Sequence, residues 1–220
     1  MAAVNGEFTI QTGLVPANYT MAMEMRDSGQ YDLYHWSVSG SGTIIFPNMK
    51  LRVEPGDKIG LMKRELLRNS RFRQALSLAI NRKDLIEVDF NGMGKAVQIG
   101  PEPTSIFHEP SQYYAYTEFD PDRANRILDE IGLTKRDKSG FRTLPDGSRM
   151  HFYLNITHGN GLPSGFAEGI VADWALVGVR VSSRESSTNL FRMELEGLQH
   201  DFTLNGSNGQ FLPLNAPRCY

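Results

Sequence analysis

The residues best placed to do chemistry are amide, hydroxyl and imidazole side chains in three loops rich in Gly, Ser and Asn. The loops read THGNGLPS (157–164), SSRESS (182–187) and NGSNGQF (205–211). Such side chains exchange hydrogen bonds and carry few charges, which suits the recognition of a polar solute. The candidate ligand-binding residues, with Phe211 as an aromatic stacking surface, are His158, Asn160, Asn205, Ser207, Asn208 and Phe211.

Each of these residues also has a plain structural explanation. A single histidine in a loop is more often a solvated side chain than a ligand contact, and Asn-Gly pairs are turn formers first. Tyr34 and Trp36 offer further stacking surface, although Trp36 also suits a place in the core. Only the convergence of several loops at the strand ends favours the binding interpretation.

The sequence lacks a catalytic constellation. GLPSG (161–165) does not have the spacing of a Gly-x-Ser-x-Gly nucleophile elbow, and no His-Glu-x-x-His or other short-spaced ligand set indicates a metal. The carboxylate pairs Asp129/Glu130 and Glu194/Glu196 are typical of solvated helix faces. We therefore expect neither an enzyme nor a protein with a metal or cofactor.

Composition and charge exclude several classes of protein. The chain has 220 residues, 40% of them hydrophobic, and a net charge of −2, so it is globular without a basic surface for nucleic acid. Its single cysteine, Cys219, excludes an intrachain disulfide. No apolar run approaches the ~18 residues of a membrane span, and MAAVNGEFTI (1–10) does not resemble a signal peptide. The chain is expected to be cytosolic or a piece of something longer, and the unpatterned residues 208–220 favour a piece.

An alternation of strands and helices must position the three loops. Residues 149–156, 179–183 and 201–204 are predicted strands, and predicted helices fill the two intervals, the second opening at Ser186 or Ser187. Such a β-α-β-α-β series forms a parallel sheet with right-handed crossovers. Ligands of open α/β sheets bind beyond the carboxyl ends of the strands, which is where all three loops lie.

Upstream, RFRQALSLAINRKDL (71–85) is predicted to form two short helices that meet at a corner. Ser70 is the predicted N-cap of the first helix, and Asn81 ends it and caps the second. The other predicted elements are strands at 7–12, 31–38 and 42–48, helices at 17–27 and 119–132, the latter capped by Asp120, and a hairpin at 140–156.

Four strings resemble the family 5 extracellular solute-binding proteins, the peptide- and nickel-type receptors of ABC importers. They are SRFRQALSLAINRKDLIEVDFNGMGKAVQIGP (70–101), YTEFDPDRANRILDEIGL (116–133), GFRTLPDGSRMHF (140–152) and IVADWALVGVRVSSRESSTNLF (170–191). The resemblance implies an α/β fold: a lobe of the type II periplasmic-binding-protein kind, with a mixed, largely parallel sheet flanked by helices. It also implies that residues 1–48 are a residual first-lobe and hinge segment, and that 49–220 are the second, ligand-binding lobe, incomplete at its C-terminus. In that lobe the helix around Phe72 is scaffold, and three arginines are structural partners of carboxylates or carbonyls: Arg71, Arg73 and Arg82.

The resemblance further implies the substrate-binding component of an ABC importer. Such a receptor captures a peptide or similar solute between two lobes, in the periplasm or outside the cell, and delivers it to permease subunits. Dipeptide receptors of the family carry an acidic residue in the loop that matches 205–215, where it pairs with the ammonium group of the peptide. This chain has no Asp or Glu there, so an oligosaccharide or a longer peptide held by its backbone stays equally open. Outside the family, the alternative is a stand-alone hydrolase domain.

Overall fold

The structure is a computed structural model that describes residues 5–10, 18–34, 41–101, 103, 105–157 and 165–208, with the backbone alone described at 41, 42 and 206–208. In chain order the elements are α1 (Tyr19–Glu24), α2 (Arg26–Gly29), β1 (Ser41–Pro47), α3 (Lys58–Arg68), α4 (Ser70–Leu78), α5 (Arg82–Phe90), α6 (Pro110–Tyr113), α7 (Pro121–Glu130), β2 (Phe152–Thr157), α8 (Phe166–Leu176), β3 (Val181–Ser186), α9 (Thr188–Glu196) and β4 (Phe202–Asn208).

A mixed sheet organises the described residues, with its strands in the order β1-β4-β2-β3. β2 pairs in parallel with β3 and with β4, while β1 pairs with β4 in the antiparallel sense. The prediction of three parallel strands linked by helices is therefore confirmed, and so is the α/β fold class. Because the three strands run in the same direction, their carboxyl ends share one edge of the sheet.

β4 is longer than its sequence pattern indicated. Its parallel pairing with β2 ends at Leu204, but the strand continues to Asn208 and stays paired with β1, from Ile44 opposite Asn205 to Ser41 opposite Asn208. The prediction that residues 205–208 open a loop is therefore wrong, and so is the prediction of a loop at 182–187, since β3 runs to Ser186 and Ser187 is the N-cap of α9. Polar, glycine-rich residues form a strand at 205–208 because β1 supplies partners for their backbone groups.

The helix pair α4 and α5 meets at the predicted corner, with one change of cap. Asn69, not Ser70, is the N-cap of α4: its backbone is extended (φ −70°, ψ 115°) and its side-chain oxygen accepts a hydrogen bond from Arg71 N at 2.9 Å. Asn81 caps α5 by accepting from Asp84 N at 3.3 Å, and Asp120 caps α7 by accepting from Arg123 N at 2.8 Å, as predicted. Asn69 is also a strong capping residue, so the pattern could not separate it from its neighbour.

The hydrophobic core lies between the sheet and the helices α4, α7 and α8. Trp174 of α8 is 1% exposed, its ring centroid is 5.2 Å from that of Phe202, and its Nε1 donates to Leu76 O at 2.9 Å. The rings of Phe72 and Phe152 continue the contact at 5.7 Å between centroids. These contacts fix α4 and α8 against the first residues of β2 and β4.

The three arginines of α4 and α5 are structural, as the resemblance implied. Arg73 Nη1 donates to Leu67 O at 2.8 Å, and Arg82 Nη1 donates to Ser77 O at 2.7 Å. Arg71 forms an ion pair with Glu130 of α7. They therefore join helices to one another.

The two strands predicted nearest the N-terminus are not formed by the residues that the structure describes there. Residues 7–10 and 31–34 form no strand, while the rest of the predicted strands at 7–12 and 31–38 lies outside the described residues. Without a paired neighbour, alternation of apolar residues does not make a strand. The predicted helix at 17–27 appears as the short helices α1 and α2, and β1 matches the strand predicted at 42–48.

Candidate ligand-binding site

The candidate site lies at the edge of the sheet where β2, β3 and β4 end. Thr157, the last residue of β2, pairs with Ser186, the last residue of β3, and Ile156 pairs with Leu204 of β4. The segments that follow these strands therefore begin side by side. On one flank the β1–β4 ribbon continues past this edge through Asn208.

The structure describes half of the predicted site residues. Asn205 is exposed and lies opposite Ile44, and the backbones of Ser207 and Asn208 pair with Gly42 and Ser41. They are thus on the projecting part of β4. The remaining predicted residues, His158, Asn160 and Phe211, lie outside the described residues, as does Trp36. Tyr34 is described and is 78% exposed.

A polar cluster that the sequence did not reveal lies between the sheet and α9. Asn155 of β2 is 2% exposed, and its Nδ2 donates to Glu194 Oε2 of α9 at 2.7 Å. Arg184 of β3, the register neighbour of Asn155, places Nη2 at 2.9 Å from Glu194 Oε1. Glu194 is 9% exposed, so its interpretation as a residue of a solvated helix face is wrong. Its spacing of three from the buried Phe191 was the available signal, because residues three apart share a helix face.

Two buried oxygen atoms of this region have no hydrogen-bond partner among the described residues. They are Oδ1 of Asn155 and Oγ of Ser186, and Ser186 is 7% exposed. Ser186 also borders a recess of about 440 Å³, together with Glu185, Ser187 and Thr188. Buried polar atoms normally form hydrogen bonds to protein, water or ligand. These two oxygen atoms therefore indicate that a polar ligand can bind on the α9 side of the strand ends.

The amino-terminal end of α9 borders the recess through Thr188. The Oγ of Ser187 accepts from Leu190 N at 3.4 Å, and its carbonyl oxygen accepts from Phe191 N at 2.9 Å. The first backbone N–H groups of a helix have no intrahelical partner and carry its partial positive charge. Those of Thr188 and Asn189 therefore have no intrahelical acceptor, and they have no other acceptor among the described residues.

A second cavity, of about 600 Å³, lies on the other side of the sheet. It is bordered mostly by apolar side chains of α5, α8 and the segment 93–100, and by Arg82. Burial lowers the pKa of the Arg82 guanidinium, an effect that the Glu118 carboxylate partly opposes. Since Arg82 already donates to neutral oxygen atoms of Ser77, we assign this cavity to the scaffold.

The opposite edge of the sheet holds buried charges with structural partners. Asp201 Oδ2, at the start of β4, accepts from Lys63 Nζ at 2.7 Å and from Tyr153 N at 2.9 Å. Burial lowers the pKa of the neighbouring His200, while a hydrogen bond to Glu194 O and the charges of Asp201 and Glu194 act in the opposite direction. These groups hold α3 and the turn before β4 to the sheet, away from the strand ends.

Within the described part of the chain, no three His, Cys, Asp or Glu side chains are grouped so that they could hold a metal ion. No helix there has the length and apolar character needed to cross a membrane.

Sequence and structure comparisons place these observations among known proteins. The profile described as "Bacterial extracellular solute-binding proteins, family 5 Middle" matches residues 3–217. The "Probable ABC transporter-binding protein" of Deinococcus radiodurans is 28% identical over 190 residues, which are 80% of this chain and 32% of that protein.

Among solved structures, the oligopeptide-binding protein OppA is similar with a TM-score of 0.75 and 31% identity, over 98% of this chain and 34% of OppA. The periplasmic binding protein MelB of Agrobacterium fabrum C58, in complex with stachyose, has a TM-score of 0.75 at 23% identity, over 94% of this chain and 32% of MelB, a likeness of fold alone. The chain thus spans about a third of the length of these proteins.

Proposed function

Because the chain belongs to the bacterial extracellular solute-binding proteins of family 5, we propose that it forms part of a receptor that captures a peptide between two lobes and delivers it to an ABC permease. The observation that carries the proposal is the shared carboxyl edge of β2, β3 and β4. A ligand at such an edge meets side chains from several loops at once, with no need for a catalytic group. The family is one of binding proteins, which agrees with the expectation that this is not an enzyme.

Residues 49–220 are assigned to the second, ligand-binding lobe, and residues 1–48 to a first-lobe and hinge segment. The antiparallel pairing of β1 with β4 supports this assignment, since a strand that enters a parallel sheet in the opposite direction comes from outside the β-α-β series. β1 is then the crossing between the lobes. Closure of the two lobes around the solute is a familiar way of coupling ligand capture to a partner protein, here the permease.

The ligand contacts are assigned to the segments at the strand ends. Asn205, Ser207 and Asn208 lie on the projecting part of β4, and His158, Asn160 and Phe211 follow β2 and β4 in sequence. Amide and hydroxyl groups suit the backbone of an extended peptide, and Phe211 supplies an apolar surface. The receptor is assigned to the periplasm or the cell exterior, in keeping with the description of the family.

Titration calorimetry on the full-length receptor tests the proposal. Short peptides are expected to bind, and the double variant Asn205→Ala/Asn208→Ala to lose binding, with Gln112→Ala, an exposed amide on α6, as the matched control. The 220-residue piece alone is expected to bind weakly, because an isolated lobe lacks the contacts of its sister lobe. If the double variant still binds peptides, the assignment of Asn205 and Asn208 to the binding site is wrong. Binding of oligosaccharides in place of peptides, as in the stachyose complex of MelB, replaces the proposed ligand class.

A further inference from the structure

We propose that the recess at the start of α9, lined by Ser186 and Thr188, binds the C-terminal carboxylate of the captured peptide. This inference rests on the proposed function and names a subsite within it.

The Ser186 side chain lies on the face of the sheet that α9 covers. Alternate residues of a strand lie on the same face, so Ser186 shares its face of β3 with Arg184, whose guanidinium reaches Glu194 of α9. The hydroxyl of Ser186 therefore lies on the side of the sheet that α9 covers, two residues before the helix begins. The side chain is 7% exposed, and its Oγ has no partner among the described residues.

Backbone N–H groups at the start of α9 can act as hydrogen-bond donors beside the Ser186 hydroxyl. α9 has 9 residues, and its N-cap Ser187 accepts from the N–H of Leu190. The N–H groups of Thr188 and Asn189 have no acceptor among the described residues and can donate to a ligand. These groups and the Ser186 hydroxyl can donate to one carboxylate. A helix N-terminus favours a negative charge, and hydrogen bonds to an ionised oxygen are about twice as strong as neutral ones.

The segments at the strand ends contain few cationic side chains. The segments 157–164 and 205–211 contain no Lys or Arg, and Arg184 of β3 is already paired with Glu194. Within this chain, the neutral donors at the start of α9 are therefore suited to bind a peptide carboxylate. Glu185 also borders the recess, but by alternation its side chain lies on the other face of β3, away from the Ser186 hydroxyl.

The distance between the ends of β3 and β4 matches the length of a short peptide. β3 and β4 flank β2, so their ends are separated by two strand spacings, roughly 10 Å. An extended tripeptide spans about the same length. A peptide held by its backbone at Asn205 of β4 can therefore place its C-terminus at the start of α9.

Two variants remove the donors without removing the helix. Ser186→Ala deletes a hydroxyl that has no partner among the described residues, so stability should be unchanged or slightly higher. Thr188→Pro deletes one backbone N–H at the first helical position, where proline is tolerated. The extended backbone of Ser187 (φ −61°, ψ 152°) suits a residue that precedes proline, and Thr188→Ala is the control that keeps the N–H group.

The probes are a tripeptide library with free C-termini and the same library with C-terminal amides, measured by equilibrium dialysis and mass spectrometry on the full-length receptor. The free acids should be retained about tenfold better than the amides, and each of the two variants should lower retention of the acids about tenfold while leaving the amides unchanged. Equal retention of acids and amides, or no effect of either variant, overturns the subsite and leaves the peptide receptor standing. Retention of neither library overturns both.

Discussion

Arg142 Nη1 lies 2.5 Å from Asp129 Oδ1, although the arginine side chain is 1% exposed and the aspartate side chain 54%. The same guanidinium donates to Val177 O at 2.9 Å and to Asn125 Oδ1 at 2.8 Å. One buried cation thus joins α7 to the segment that leaves α8. Its charge is balanced at the surface of the molecule, where Asp129 remains partly solvated.

Replacement of Arg142 by methionine is expected to lower the free energy of unfolding by about 3 kcal/mol, because the carbonyl and amide oxygens around it lose their donors. Asp129→Asn should cost less, about 1 kcal/mol, because that carboxylate is more than half exposed and its pairing is weakened by solvent. Urea unfolding followed by circular dichroism gives both values. The exposed pair Arg123–Glu118 is the control, and its removal should cost less than about 1 kcal/mol. Equal costs for the buried and the exposed pair would contradict the assignment.

The N-cap of α4 can be identified by mutation. Asn69→Ala should destabilise the protein by about 1 kcal/mol, because the N–H of Arg71 loses its acceptor. Ser70→Ala should change stability by less than about 0.5 kcal/mol, since Ser70 lies inside the helix and has no capping role. Thermal unfolding of both variants distinguishes the two residues. A larger effect at Ser70 would restore it as the cap.

Trp174 serves the core and not the ligand, and this too can be measured. Trp174→Phe should lower the free energy of unfolding by about 2 kcal/mol, since it removes volume from the core and leaves Leu76 O without its donor. In the full-length receptor, the affinity for peptide should be unchanged under conditions where the variant is folded. Loss of affinity without loss of stability would show that Trp174 contributes to ligand binding.

The pH dependence of stability should include a term from His200. Burial lowers its pKa in the folded state, so the unfolded state binds the proton more readily. Stability from this group is complete above the unfolded pKa of about 6.5 and falls as the pH drops below that value towards the folded pKa. Urea unfolding at about pH 7.5 and at about pH 5 should therefore show a smaller loss in His200→Gln than in the parent protein. A residual loss is expected from His151, whose pKa is also lowered by burial.

Periodicity and end signals predicted the helices and strands that carry the site. The apolar stripe of α7, with Asp120 before it and Gly132 after it in the left-handed conformation (φ 88°), is a pattern contained in consecutive residues. The same holds for α8 and for β2. Helix α3 was not predicted, and the strand signals at 7–12 and 31–38 found no pairing partner among the described residues.

The site itself was predicted only in outline. The parallel order of β2, β3 and β4 indicated which edge carries the loops, and it placed Asn205 near that edge. It did not indicate that β4 runs on to Asn208, that Glu194 turns inward to Asn155, or that the Ser186 hydroxyl is buried with no partner among the described residues. Each of these features depends on which residue of another element lies opposite.

The amino-acid sequence by itself determined the local elements, the family and the direction of the strands, because helix periodicity, caps and β-α-β succession are properties of neighbouring residues. The tertiary structure alone decided the length of the β1–β4 ribbon, the burial of Glu194 and the pairing of Arg142 with Asp129. These relationships join residues far apart in the chain, and each depends on the backbone and side-chain partners that folding brings within hydrogen-bonding distance.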